Sequence, residues 1–175
     1  MAYEDIIESA SKSYQIPVDI IKAIIKVESN WDPNARRYEA HLKDSSLGLM
    51  QLLTKTAKAV SGNFTLTEFQ ILQPTLNILL GTKYLREQLN TYKTIDNAIA
   101  AYNAGSPRFT SMGNYVNQAY VDKVNKWIKF YKVLPLTPTY LPFLFMLGGL
   151  VYYSYKGEVD WWPEDVYGRF KRKKK

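Results

Sequence analysis

Apolar residues recur at helical spacing through most of the first 133 positions, and they mark out a chain of amphipathic helices. A first helix is expected over 4–14. A second, over 17–28, carries apolar side chains at Pro17, Ile20, Ile21, Ile24, Ile25 and Val27, and Pro17 suits a first helical turn because its missing N–H is not needed there. Asn30-Trp31-Asp32-Pro33-Asn34 is turn chemistry, and 35–47 reads as an irregular loop or a short β-ribbon. Residues 48–53 lead into a short helix over 54–61. The longest amphipathic helix spans 74–92, with Leu76, Leu79, Leu80, Tyr84, Leu85 and Leu89 on one stripe. Residues 96–103 form a short, almost wholly apolar helix, expected at the centre of the fold and stopped by Gly105 and Pro107. A last helix over 115–133 presents Val116, Tyr120, Val124, Trp127 and Tyr131 at helical spacing. The pattern is that of a mainly α domain.

The character changes after Lys132. Residues 133–155 carry no charge, and 140–153 is an unbroken apolar and aromatic run. A bilayer span takes about 20 apolar residues, so a helix over 139–155 is of borderline length. Pro135 and Pro138 suit an extended lead-in, and Pro142 is tolerated in a first turn. Tyr140 at one end and Tyr152, Tyr153, Tyr155, Trp161 and Trp162 at the other resemble interfacial aromatic belts. The segment is expected to contact a membrane, or else to pack as an apolar arm on the domain or a partner. The chain thus divides into a domain over 1–133 and, over 134–175, a proline-rich linker, an apolar segment and a basic tail.

Composition narrows the chemistry. The 175 residues, 46% hydrophobic, suffice for one domain with a real core. There is no cysteine, so disulfides and thiolate chemistry are excluded, and a single histidine, His41, argues against histidine metal sites and no cofactor is expected. Of the net charge of +7, six charges lie in residues 169–175, which leaves residues 1–168 at +1. That tail suits anionic lipid or nucleic-acid phosphates, or serves only solubility. The opening Met1-Ala2-Tyr3-Glu4-Asp5 is acidic and no apolar stretch of signal-peptide type follows.

Glu28 is the candidate for acid–base work. Stepping from Ile21 through Ile24 and Ile25 reaches Glu28, so the carboxylate lies on the apolar stripe. A carboxyl among apolar neighbours resists ionisation and can donate a proton near neutral pH. On position alone, a helix-end glutamate paired with a lysine is the competing reading.

Five segments in order decide between them: Glu28-Ser29-Asn30-Trp31-Asp32-Pro33-Asn34-Ala35, Ser46-Leu47-Gly48-Leu49-Met50-Gln51-Leu52-Leu53-Thr54-Lys55-Thr56-Ala57, Asn77-Ile78-Leu79-Leu80-Gly81-Thr82-Lys83-Tyr84-Leu85, Ala98-Ile99-Ala100-Ala101-Tyr102-Asn103-Ala104-Gly105 and Tyr120-Val121-Asp122-Lys123-Val124. Together they resemble the soluble lytic transglycosylases of glycoside hydrolase family 23, over residues 3–133. The resemblance implies a lysozyme-like helical fold of the goose-type and lytic transglycosylase kind. It also implies cleavage of the β-1,4 bond between N-acetylmuramic acid and N-acetylglucosamine in peptidoglycan, with Glu28 as catalytic acid and then base. The muramoyl 6-hydroxyl closes on its own anomeric carbon, so the product is a 1,6-anhydro sugar. One obvious carboxylate then suffices where glycosidases ordinarily need two.

The same resemblance makes Gln51, Thr56, Tyr102, Asn103 and Tyr120 substrate-binding candidates. Gln51 would meet acetamido groups, the Tyr102 hydroxyl would hold the Glu28 carboxyl, and Tyr120 would wall the cleft, with core packing as its alternative. Asn103 would bind substrate or support its loop. Gly48 would let the backbone approach the sugar chain, Asn77 would hold a loop and Gly81 would allow a close helix contact. Ser29 reads equally as a helix cap. Val116-Asn117-Gln118 stand where the family often has an acidic residue followed by Thr-Arg, and the stretch 35–46 is longer than in compact members.

The expected setting is a bacteriophage virion protein acting at the periplasmic cell wall on peptidoglycan glycan strands, during genome delivery. Other readings remain: a goose-type lysozyme in which Asp32 or Asp44 positions a water, or a virion structural or membrane-docking protein that binds peptidoglycan without cutting it.

Overall fold

A computed structural model describes residues 3–133. The segments 139–155 and 169–175 lie outside the described residues. Within the described residues no helix is long and apolar enough to cross a membrane.

The elements are helices α1 (Glu4–Tyr14), α2 (Val18–Ser29), α3 (Thr54–Ser61), α4 (Glu68–Ile71), α5 (Pro74–Tyr92), α6 (Ile95–Ala104) and α7 (Gln118–Val133), with strands β1 (Arg36–Glu39), β2 (Asp44–Leu47) and β3 (Leu52–Leu53) between α2 and α3. Local chemistry accounts for most ends. Pro17 stands just before α2 in an extended conformation, and Asn30 ends that helix in the left-handed region, its N–H bonded to the Lys26 carbonyl. Thr94 caps α6 by accepting the Asn97 N–H, and Gly105, at φ 78°, closes it. Helix α4 was not legible from periodicity because it is a single turn. Its signal is the capping box of Thr67 and Gln70, in which each side chain satisfies the other's backbone N–H.

The stretch after α2 is an antiparallel β-ribbon. The sheet order is β1-β2-β3, with Arg36 opposite Leu47, Glu39 opposite Asp44 and Ser46 opposite Leu53. Helix α7 begins three residues later than the periodicity suggests. Tyr115 instead bridges to Phe109, and Val116, 58% exposed, bonds its N–H to the Arg108 carbonyl. Val121 joins Val124 in the buried stripe that Val116 was expected to share.

Helix α6 is central as its composition demands, with Ala98, Ile99, Ala100, Ala101 and Tyr102 all buried. It packs between α5 and α7, while α2 lies against α7 and α1 against α5. Ile21, Ile24 and Ile25 are fully buried, so the α2 stripe faces the core and carries the end of the helix inward with it.

Candidate active site

Glu28 occupies the last turn of α2, and Ser29 fixes where that turn points. The Ser29 hydroxyl lies 2.8 Å from the Leu49 carbonyl and 3.2 Å from that of Ile25, which ties the helix end to the turn between β2 and β3. Ser29 is therefore more than a local cap.

That turn is held by Asn77 of α5, which is fully buried. Its Oδ1 accepts the Met50 N–H at 2.8 Å, and its Nδ2 donates to the carbonyls of Leu47 at 2.9 Å and Ile71 at 3.0 Å. Gly48, at φ +74°, has no room for a side chain: a Cβ there would stand 2.6 Å from Asn77 Nδ2. Its bareness accommodates Asn77 rather than a sugar chain. A methyl on Gly81 would overlap Met50 Sδ, so the close contact expected at Gly81 is made by α5 with this turn and not with another helix. Leu49 and Met50 are core residues, as their composition suggested.

The phenol that holds the Glu28 carboxyl is Tyr120 and not Tyr102, for which the resemblance implied that role, while Tyr120 also walls the hollow as expected. The Tyr102 hydroxyl donates to the Met50 carbonyl at 2.8 Å, and its ring rests against Tyr84 with centroids 5.2 Å apart. The Tyr120 hydroxyl donates to Glu28 Oε1 at 2.6 Å. The reason is packing. Helix α7 runs along α2 and delivers Tyr120 to the carboxyl, whereas α6 turns the Tyr102 hydroxyl toward the β2–β3 turn. Burial and the Glu28 charge push the pKa of both phenols well above the ordinary range, so both stay protonated as donors.

Two adjoining hollows open on Glu28, and both are also lined by Arg37 and Asn103. The smaller is about 280 Å³ and includes Tyr120, Lys123 and Trp127. The larger, about 640 Å³, forms a cleft bounded by Gln51, Thr56 and Tyr102 on one side and by the β1–β2 hairpin on the other. All six residues expected at the site therefore line one continuous depression. They differ in what they leave free. Gln51 donates both amide hydrogens inward, to Ala35 and Gly48 carbonyls at 3.0 and 2.9 Å, so only its carbonyl oxygen is open to a ligand. Asn103 is exposed and accepts from Asn117 Nδ2 at 2.9 Å, which leaves its own NH₂ as a donor. Asn117 also donates to the Ala100 carbonyl, and its Oδ1 is buried with no partner among the described residues.

The electrostatics single out Glu28. Burial raises its carboxyl from 4.5 to about 7; the Tyr120 hydrogen bond and the Arg37 charge pull down against this, and Glu39 pushes up. A helix C-terminus, with its partial negative charge, is a further reason for an acid to stay neutral there. Lys26, the basic residue of the last turn of α2, bonds to Asn30 Oδ1 at 2.7 Å and stands over Trp127. No Glu28–lysine pair is among the described salt bridges.

Sequence reasoning missed Arg37 and Glu39. They share one face of β1 by their two-residue spacing, pair at 2.5 Å, and Glu39 also receives the Ser46 hydroxyl at 3.2 Å. Opposite charges two apart on a predicted ribbon were the available signal. Asp32 and Asp44, the sequence candidates for holding a water, do not line the cleft. Asp32 accepts the Asn34 N–H, and Asp44 accepts the N–H groups of Ser45 and Lys55. Among the described residues no three His, Asp or Glu side chains converge as a metal site.

Residues 5–126 match the family described as the transglycosylase SLT domain. The chain is 31% identical over 122 residues to the soluble lytic murein transglycosylase of Escherichia coli K12, covering 65% of this chain and 18% of that protein. It is 29% identical over 100 residues to a transglycosylase of Enterobacteria phage PRD1, covering 57% of this chain and 34% of the relative. Among solved structures, the 70-kDa soluble lytic transglycosylase in complex with bulgecin A aligns with a TM-score of 0.63 at 25% identity, over 75% of this chain and 24% of that one. The chain spans less than a fifth of the length of the Escherichia coli relative. With its profile matched over most of its length and its fold shared with such enzymes, the chain belongs to the transglycosylase SLT domain family.

Proposed function

We propose that this domain is a peptidoglycan lytic transglycosylase of glycoside hydrolase family 23 that cleaves the N-acetylmuramic acid to N-acetylglucosamine bond without water. The observation that carries the reading is Glu28: a carboxyl raised to about 7, opening on a cleft and held by a phenol at 2.6 Å. Protonated Glu28 gives its proton to the glycosidic oxygen as the bond to the anomeric carbon breaks. The resulting carboxylate, steadied by Tyr120, takes the proton of the muramoyl 6-hydroxyl as that oxygen bonds to the anomeric carbon. Glu28 ends protonated again, and the products are a free 4-hydroxyl and a 1,6-anhydromuramoyl end. Acid–base help of this kind is worth about 10²–10⁴-fold. Gln51, Thr56, Tyr102 and Asn103 line the path of the glycan strand, with the Asn103 amide and the Gln51 carbonyl as partners for acetamido groups.

Incubating purified murein with the protein and analysing the ends tests this. Anhydromuramoyl ends support it, and reducing ends alone overturn it. One observation favours a second reading, hydrolysis, since Glu39 puts another carboxylate in the cleft. Against it, Glu39 is already engaged by Arg37 and Ser46. Incorporation of heavy-oxygen water into the product separates the two.

The setting we propose is a phage particle that opens the wall during genome delivery, supported by the PRD1 relative. Mass spectrometry of purified particles that finds none of this chain overturns that setting.

A further inference from the structure

Three cations stand around the cleft, one on β1, one on α7 and one on the loop between α6 and α7. Arg37 of β1 and Lys123 of α7 line the smaller hollow beside Glu28, and Arg37 and Arg108 line the larger one. The Arg37 Nε is taken by Glu39, whereas no described hydrogen bond or ion pair engages its two terminal nitrogens, the Lys123 ammonium or the Arg108 guanidinium. Against these stand two carboxylates, of which Glu39 is paired and Glu28 is the reacting acid. Trp127 enters the smaller hollow with its ring already engaged, stacked on Tyr131 at 5.7 Å and beneath the Lys26 ammonium at 4.7 Å. That hollow therefore offers a ligand positive charge rather than an open aromatic platform. Solvated surface lysines are common, but here the cationic groups converge on a concave site at the reacting carboxyl, where a low-dielectric wall concentrates the field.

Resting on the reading proposed above, the geometry points to an anion subsite formed by Arg37 and Lys123 that takes a carboxylate of the peptide stem on the muramoyl residue being cleaved. The chemistry of the substrate selects this anion. The muramoyl 6-oxygen is the attacking group, so a strand carrying a phosphate there cannot react at that residue. The remaining anionic substituent is the stem, joined through the ether at carbon 3, two carbons along the ring from the bond that breaks. With the anomeric carbon at Glu28, a hollow directly adjoining Glu28 is within reach of the stem. A planar guanidinium and a mobile ammonium suit a carboxylate approaching from solvent.

The full chain is assayed for anhydromuramoyl ends on three substrates: strands with intact stems, strands stripped of stems by an amidase and then amidated at the lactyl carboxyl which that cut exposes, and strands whose stem carboxyls are amidated. The expected result is a preference for intact strands of about two- to fivefold in kcat/KM per engaged cation, the scale of a solvent-exposed ion pair. Amidated strands should behave as stripped ones, and the preference should shrink in high salt. Lys123→Gln should lower the ratio of intact to stripped rates, and Lys123→Arg should restore it. Amidated strands cut as fast as intact ones, or a ratio unmoved by Lys123→Gln, would overturn the subsite while leaving the transglycosylase reading in place. No cleavage of any of the three overturns both.

Discussion

The two sides of the cleft are built on opposite principles. On one side the turn between β2 and β3 is enclosed up to Gln51: Gly48, Leu49 and Met50 are buried, and Asn77 and Tyr102 meet the polar groups of the turn from below. On the other, the β1–β2 hairpin exposes Arg36, Arg37, Tyr38 and His41, with Arg37 paired to Glu39 and Arg36 to Glu68 of α4. The enclosed side sets position, because a buried polar group has few satisfactory arrangements. The exposed side sets charge, because its groups are screened and adjustable. Glu28 lies between them and takes its acidity from both: burial from the first, and the opposed pulls of Arg37 and Glu39 from the second.

The hardest blow to this contrast falls on Glu28 itself. Glu28→Gln should remove about 10²–10⁴-fold of murein-clearing activity while leaving the circular dichroism of the helices unchanged. A variant that clears murein at the original rate would show that Glu28 is not the acid. Next in size is the enclosed side. Asn77→Ala strands the Met50 N–H and two carbonyls in the core and should cost about 2–4 kcal/mol in chemical unfolding. An effect below about 1 kcal/mol would mean the turn is held by something else.

A gentler probe is the dependence of stability on pH. The folded-state value of Glu28, about 7, lies above its unfolded value of 4.5, so the native state binds the proton more tightly. The favourable contribution is fully present below pH 4.5 and is lost as pH rises through 7, by up to roughly 3 kcal/mol. Glu28→Gln should therefore gain stability relative to the unmodified chain between pH 5 and pH 8. Equal differences at both pH values would sink the raised value. On the exposed side, the alkaline limb of kcat/KM reports the same proton. It should move up in Arg37→Gln and down in Glu39→Gln, since those charges act on Glu28 in opposite senses. Shifts in the same direction would disprove the electrostatic account. The smallest effect belongs to the tie between β1 and α4: Arg36→Ala should cost no more than about 0.5–1 kcal/mol by thermal unfolding, as exposed pairs do.

Much of the helical frame was legible because its signals are local. The stripe from Ile20 to Ile25, the prolines at 17 and 74 and the stop at Gly105 act within a turn or two of the chain, and they placed α2, α5 and α6 closely. The site was legible as a set of residues, through the order of its motifs, but not as a set of contacts. Nothing local distinguishes the hydroxyl of Tyr102 from that of Tyr120. Only the docking of α7 on α2 and of α6 beneath the turn assigns one to the carboxyl and the other to a carbonyl. Gly48 misled for a related reason. Its positive φ is a local property, but the group that fills the space beside it comes from α5.

The hydrogen bond between Tyr120 and Glu28 joins positions 92 residues apart, near opposite ends of the domain. The reactive group is consequently a product of complete folding. On the proposed function, activity waits on the docking of α7, and a proteolytic cut before Gln118 should silence it without touching the acid.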